Sequence, residues 1–94
     1  MTPNHSPRLE QDAHDPGLIH LSGHWTLKTA LAAAEVLRDV PEKLTGIDAT
    51  AIEQLDSAGV LQVLRVAHRA DLGEQALQFR PDHQALVCTI EEVA

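Results

Sequence analysis

Polar and apolar positions along this chain repeat with two different periods. In Leu18-Ile19-His20-Leu21-Ser22 apolar and polar residues alternate from Ile19 onward, with Leu18, His20 and Ser22 on one face and Ile19 and Leu21 on the other. That is the period of a strand with at least one buried face, and Gly23 is expected to end it. Upstream, Arg8-Leu9-Glu10-Gln11 reads as a short edge strand. Between the two, Asp15-Pro16-Gly17 is a turn, in which Pro presets one φ and Gly supplies a positive one. The pair predicts a hairpin. From Thr26 the period lengthens: Leu27, Ala30, Leu31, Ala34, Leu37 and Val40 recur every three or four residues, with Lys28, Glu35, Arg38 and Asp39 on the other side. This is the pattern of an amphipathic helix with Thr26 as its cap and Pro41 as its stop.

The alternation of elements continues. Thr45 to Ala49, centred on Ile47, predicts a central strand, and Ala51-Ile52-Glu53-Gln54-Leu55 leads into a second helix over Ser57 to Ala70. Val60, Leu61, Val63, Leu64 and Ala67 form its apolar stripe, Gln62, Arg65 and Arg69 are left for water, and Asp71-Leu72-Gly73 closes it. Gln75 to Phe79 alternates as a last strand. Pro81 and Asp82 start a third helix with Leu86, Ile90 and Val93 on one face. The order is ββαβαβα, an α/β class. Helices between the later strands imply right-handed crossovers and a small mixed sheet with flanking helices. Residues 8 to 94 make a single domain, preceded by a flexible leader, Met1 to Pro7, which is polar and carries two prolines.

Composition narrows the physics. Of 94 residues, 44% are hydrophobic and only 2% aromatic, so the core is aliphatic and thin. A formal charge of -7 and a pI near 5.1 argue against nucleic acid, whose phosphates need clustered Lys and Arg, and favour basic protein partners or plain solubility. Cys88 is the single cysteine and lies in an apolar helical pattern, which predicts a buried, inert thiol and no disulfide. No apolar run reaches the roughly 18 to 20 residues that cross a bilayer, and the start lacks a basic-then-apolar signal, so the reading is cytoplasmic. The third helix has no capping signal after Val93. That is what a chain running on into a membrane portion would show, the alternative being a separate small subunit.

Candidate chemistry is sparse. Six histidines show neither HxxxH spacing on a helix nor a cysteine pair. The one HxxxH spacing, His20 with His24, falls at the strand end, where a histidine sits at a solvent edge or finds one hydrogen bond, so no metal site is expected. Neither G-x-G-x-x-G nor G-x-x-x-x-G-K-[ST] occurs, so no cofactor is expected. Ser57, a histidine and Asp48 or Asp56 compose a Ser-His-Asp set on paper, but the G-x-S-x-G elbow is missing. The lone Trp25 reads as a core or staple residue. Ser57 stands ahead of an apolar helical run, where its hydroxyl suits the N-cap and Asp56 suits the positive end of the helix dipole. Small Ala58 and Gly59 leave space beside it for another protein, and a phosphate on Ser57 would be held by the helix end.

The stretch Ile47 to Ala67, IDATAIEQLDSAGVLQVLRVA, resembles the signature of STAS domains, named for sulphate transporters and anti-sigma factor antagonists. There a strand ending in Asp leads through a loop of this length to an Asp-Ser/Thr-x-Gly turn that opens a helix. The ββαβαβα order and the Leu-Ser-Gly strand end agree, so the resemblance covers about Leu9 to the C-terminus. It implies that Ser57 matches the residue phosphorylated by a cognate kinase in anti-sigma factor antagonists, with Asp56 before it and Asp48 at the end of the central strand. Those antagonists commonly carry an acidic segment after the second strand, where this chain has LSGHWTL, Leu21 to Leu27, without the acids. SGHWTL with DSAG is more similar to the STAS domain or subunit of lipid-asymmetry ABC transporter permeases. That implies a non-enzymatic cytoplasmic module at the inner face of the inner membrane. It would dock on the ATPase subunit, beside the permease, through Asp56, Ser57, Ala58 and Gly59. The alternative is an antagonist switched by a kinase at Ser57.

Overall fold

The hairpin forms where the alternation places it. In the computed structural model, which describes residues 6–93 and positions 74 and 91–93 by their backbone alone, β1 (Arg8–Gln11) pairs antiparallel with β2 (Leu18–Trp25), Leu9 opposite Leu21. The connecting turn is held by its aspartates. Asp12 Oδ2 accepts the N–H groups of His14 and Asp15, each at 3.0 Å, and Asp15 Oδ1 accepts that of Gly17 at 3.0 Å. Then follow β3 (Gly46–Leu55) and β4 (Leu77–Phe79), giving a mixed sheet in the order β1-β2-β3-β4 with the last two pairings parallel.

Between strands lie α1 (Ala30–Val36), flanked by 3-10 turns over Leu27–Thr29 and Leu37–Asp39, and α2 (Ser57–Arg69); α3 (Pro81–Val93) comes last. The order is ββαβαβα, the small α/β architecture read from the sequence. Each parallel crossover moves one strand in the same direction, so right-handed connections put the helices on one face of the sheet. Burial follows from this: Ile19, Leu21, Trp25, Ile47, Ala49 and Ile52 point under Val60, Val63, Leu64 and Ala67 of α2. Leu18, His20, Ser22 and His24 line the opposite, half-exposed face. Trp25 is fully buried, as its character suggested, and its indole N–H donates to the Ser22 carbonyl at 2.8 Å.

Several expectations are corrected. Gly23 does not end β2. It takes φ +85°, the register with β3 shifts there, and the strand runs on to Trp25. A Cβ at Gly23 would run into the Ser6 carbonyl. The central strand is twice the expected length, because Ala51 to Leu55 stays paired with β2 instead of forming a loop. The first helix turns a partly different face inward: Ala33 is buried, while Leu27 and Leu31 are 72% and 87% exposed. Leu37 and Val40 of the expected stripe do pack against the core, together with Val36, so the inward line runs through Ala33 where the stripe had Leu31 and Ala34. Thr26 is the N-cap, as expected, though of a 3-10 turn, and Thr29 Oγ1 accepts the Thr26 N–H at 3.0 Å and donates to the His24 carbonyl at 2.9 Å.

The last strand is shorter than the alternation suggested, since Glu74–Ala76 forms a 3-10 turn. On α3 the buried residue is Val87, with Leu86 and Ile90 half-buried; the side chain of Val93 lies outside the described residues. Cys88, one position past Val87, points about 100° away from the core and is an exposed free thiol rather than a buried one. α2 closes as expected at Asp71, which takes φ +57° and donates its N–H to the His68 carbonyl, while Leu72 N–H reaches Ala67. Residues 1–5 of the leader lie outside the described residues, and Pro7 is buried. Among the described residues no helix is long and apolar enough to cross a membrane.

Candidate functional site

The start of α2 is built by one carboxylate. Leu55 is still paired with Trp25 at the end of β3; Asp56 then stays extended, at φ -125° and ψ -176°, and the helix begins at Ser57. Asp56 Oδ1 accepts the Gly59 N–H at 3.1 Å, Oδ2 accepts the Leu27 N–H at 2.9 Å, and the Asp56 N–H donates to the Trp25 carbonyl at 3.3 Å. One residue therefore joins the end of β2, the entry to the first helix and the first turn of α2. Asp56, not Ser57, is the N-cap. The physical reason is reach and charge: a carboxylate offers two separate oxygens, one toward Leu27 and one toward Gly59, and a negative charge for the helix end, whereas a hydroxyl has a single oxygen and no charge.

That correction changes which residues are displayed. Ser57 is the first helical residue and is exposed, while Ala58 is half-buried. Gly59, which the sequence placed beside open space, is buried, and a Cβ there would overlap the Trp25 carbonyl oxygen. Gly59 is thus a packing requirement, set by the close approach of α2 to the end of β2. Of the four residues in the motif, Ser57 alone presents its side chain fully to solvent, next to the Asp56-bound, exposed Leu27.

A second constellation lies on the opposite face of the sheet. His20 of β2 sits opposite Asp48 of β3 in the register; its Nδ1 is 3.0 Å from Asp48 Oδ2 and its Nε2 2.8 Å from Asp12 Oδ1 in the hairpin turn. Thr50 Oγ1 donates to Asp48 Oδ1, at 2.6 Å, and its N–H does so at 3.0 Å. The parallel register with β3 and the hairpin turn together give His20 two carboxylates. A neutral imidazole has one N–H, so satisfying both acceptors favours the imidazolium. The hydrogen bond to Asp12 raises the His20 pKa above its ordinary value; desolvation opposes this and Asp48 adds to it. Asp12 falls to about 2, through His20 first and then the N–H groups of His14 and Asp15. Burial works to raise Asp48, but the Thr50 hydroxyl and N–H and His20 outweigh it and leave its pKa lowered.

The sign for stability follows. A raised His20 contributes stability that is complete below about pH 6.5, the ordinary histidine value, and is lost as pH rises through its folded pKa. Lowered Asp12 and Asp48 contribute above the ordinary carboxylate range and lose that contribution in acid, for Asp12 down to about pH 2. The melting temperature of the wild-type chain is therefore expected to fall between pH 6 and 9. In His20→Gln that alkaline fall should shrink clearly, measured by circular dichroism on both proteins. Identical pH profiles would remove His20 from this role.

A Ser-His-Asp set made of Ser57 with His20 and Asp48 is not assembled. Asp48 and His20 lie near the start of β3, and Ser57 follows its far end, roughly 20 Å away at about 3.3 Å per residue. Both imidazole nitrogens are already engaged by carboxylates, which leaves neither to take a proton from a serine. The fold is that of a small mixed-sheet α/β domain, in keeping with a STAS-like arrangement, and its candidate site is a displayed helix start. No family model, curated protein or solved structure matches the chain.

Proposed function

We propose that this chain is a non-enzymatic STAS-type accessory domain of an ABC phospholipid transport system. It works at the cytoplasmic side of the inner membrane and docks on the ATPase subunit beside the permease. The contact runs through the helix start Asp56-Ser57-Ala58-Gly59, in which Asp56 and Gly59 build the turn and Ser57 meets the partner. The observation that supports this reading is the display of Ser57: its neighbours are committed to internal bonds and packing, while its own side chain is exposed beside exposed Leu27.

A kinase-switched antagonist is the second reading, favoured by the same exposed hydroxyl at a helix N-terminus. Against it, the Asp56 carboxylate already holds the Gly59 N–H, so a phosphate on Ser57 meets a like charge at the donor it needs. The discriminating experiment is capture of the purified ATPase subunit by the full chain, wild type and Ser57→Trp. Tenfold weaker capture by a variant that still folds is expected, and unchanged capture would sink the interface. Incubation of the same chain with the candidate anti-sigma kinase and ATP, followed by intact mass, should leave Ser57 unmodified; one added phosphate there would favour the switch.

A further inference from the structure

Although acidic overall, the molecule gathers three of its seven Lys and Arg residues along one groove. α1 and α2 lie side by side and run in the same sense. Leu27 meets Asp56 at their starts, Gln62 Nε2 donates to the Ala30 carbonyl at 3.0 Å, and beyond that point Ala34, Leu37 and Arg38 line a cleft with Gln62, Arg65 and Arg69. That cleft has a volume of about 300 Å³. A second, of about 290 Å³, shares Leu37, Arg38 and Arg69 with it and continues over Val40, Leu44 and Val66. Sharing those walls, the two form one groove with an aliphatic floor and an arginine rim.

The rim is electrostatically unspent. His20 is paired with its two aspartates and Arg80 with Asp82, but Arg38, Arg65 and Arg69 are in none of these pairs. In a chain with 14 acidic residues against 7 basic ones, three guanidinium groups collected at one place without a carboxylate partner are a local reversal of the molecule's sign. Glu42, at the far end of the second cleft, is the acid that lines it.

We infer that this groove docks an acidic amphipathic segment of a protein partner, whose aliphatic side chains enter over Leu37, Val40 and Leu44 while its carboxylates meet Arg38, Arg65 and Arg69. The chemistry matches on both counts. Guanidinium groups bind carboxylates through paired N–H donors, and an aliphatic floor between two helices accepts apolar anchors spaced by a helical turn. A net charge of -7 repels acidic chains at large, so only one whose carboxylates reach the groove gains from it, which makes the contact selective. An anionic membrane fits less well, because its recognition draws on clusters of about four to eight bases on an open surface. The groove uses residues other than the Ser57 turn, and its outcome is separable from that of the ATPase capture.

The test titrates isotope-labelled full chain with a synthetic 16-residue helical peptide bearing leucines on one face and glutamates beside them. A matched peptide has lysine at each glutamate. Saturable shifts are expected at the amides of Leu37, Arg38, Gln62, Arg65 and Arg69 with the glutamate peptide, weakening as salt is raised. The exposed double variant Arg65→Glu with Arg69→Glu should bind that peptide at least tenfold more weakly and prefer the lysine peptide, with its circular dichroism unchanged. Equal binding of both peptides overturns the inference, and so does the absence of saturable shifts. Perturbation of the same residues by phosphatidylglycerol vesicles instead of the peptide would assign the groove to a membrane. Concentration-dependent shifts of the free chain there would assign it to self-association.

Discussion

Replacing Gly59 by alanine is expected to destabilise the domain by about 2–4 kcal/mol, although in an ordinary helix interior the same change stabilises by roughly 0.5–1 kcal/mol. The sign reverses because of what lies opposite. A Cβ at Gly59 would overlap the Trp25 carbonyl oxygen, lie 2.7 Å from its carbon and sit 3.0 Å from Leu55 Cδ1. Backbone cannot step aside cheaply here, since the same carbonyl accepts the Asp56 N–H and belongs to the last paired residue of β2. Relief would come from lifting α2, which would uncover Val60 and Val63. Urea denaturation of the variant measures the loss. Gly73→Ala, where the added carbon meets nothing within 4 Å, supplies the control and should change stability little. A neutral Gly59→Ala would mean that α2 does not approach β2 this closely.

The order of elements was legible in the sequence because each carries its own period and its own punctuation. The hairpin turn, the α2 stripe and the Pro81 start were written locally, although Gly17 does not take the positive φ read for it and Leu61 of the stripe is exposed. What was not legible depended on partners far along the chain. Gly23 reads as a strand end, yet β2 continues because β3 is there to pair with it, shifted in register. Leu27 and Leu31 fit a helical stripe, but the core takes Ala33 in their place, while Leu37 and Val40 of the same stripe stay packed against it. The site shows the same division. Ser57 could be singled out from its neighbours alone, whereas the choice of Asp56 as cap rests on Leu27, 29 residues earlier, whose N–H takes the second oxygen. His20 with Asp12 and Asp48 needs both the hairpin register and the parallel one, and no local pattern carries two registers at once. The signal that could have found it is the shared strand parity: His20 and Asp48 lie on the same polar side once β2 and β3 are taken as parallel neighbours.

Trp25→Ala is expected to cost about 3–5 kcal/mol, the range for removing a large aromatic side chain from a core. For a domain of 94 residues, whose total stability is on the order of 5–14 kcal/mol, that removes from about a fifth to the whole of it. Trp25 is fully buried in a core otherwise made of aliphatic side chains and Phe79, so no second large ring can move in to fill the space. The residue also joins core to site. Its carbonyl receives Asp56 and roofs Gly59, and its ring fixes where that carbonyl points. Trp25→Phe separates the two contributions: it keeps an aromatic ring but leaves the Ser22 carbonyl without its 2.8 Å donor, a loss on the order of 1 kcal/mol plus the vacated volume. Thermal melts followed by circular dichroism should therefore rank wild type above Trp25→Phe and both well above Trp25→Ala. If Trp25→Ala melted close to the wild type, the core would be aliphatic alone. The start of α2 would then need some other anchor than the end of β2.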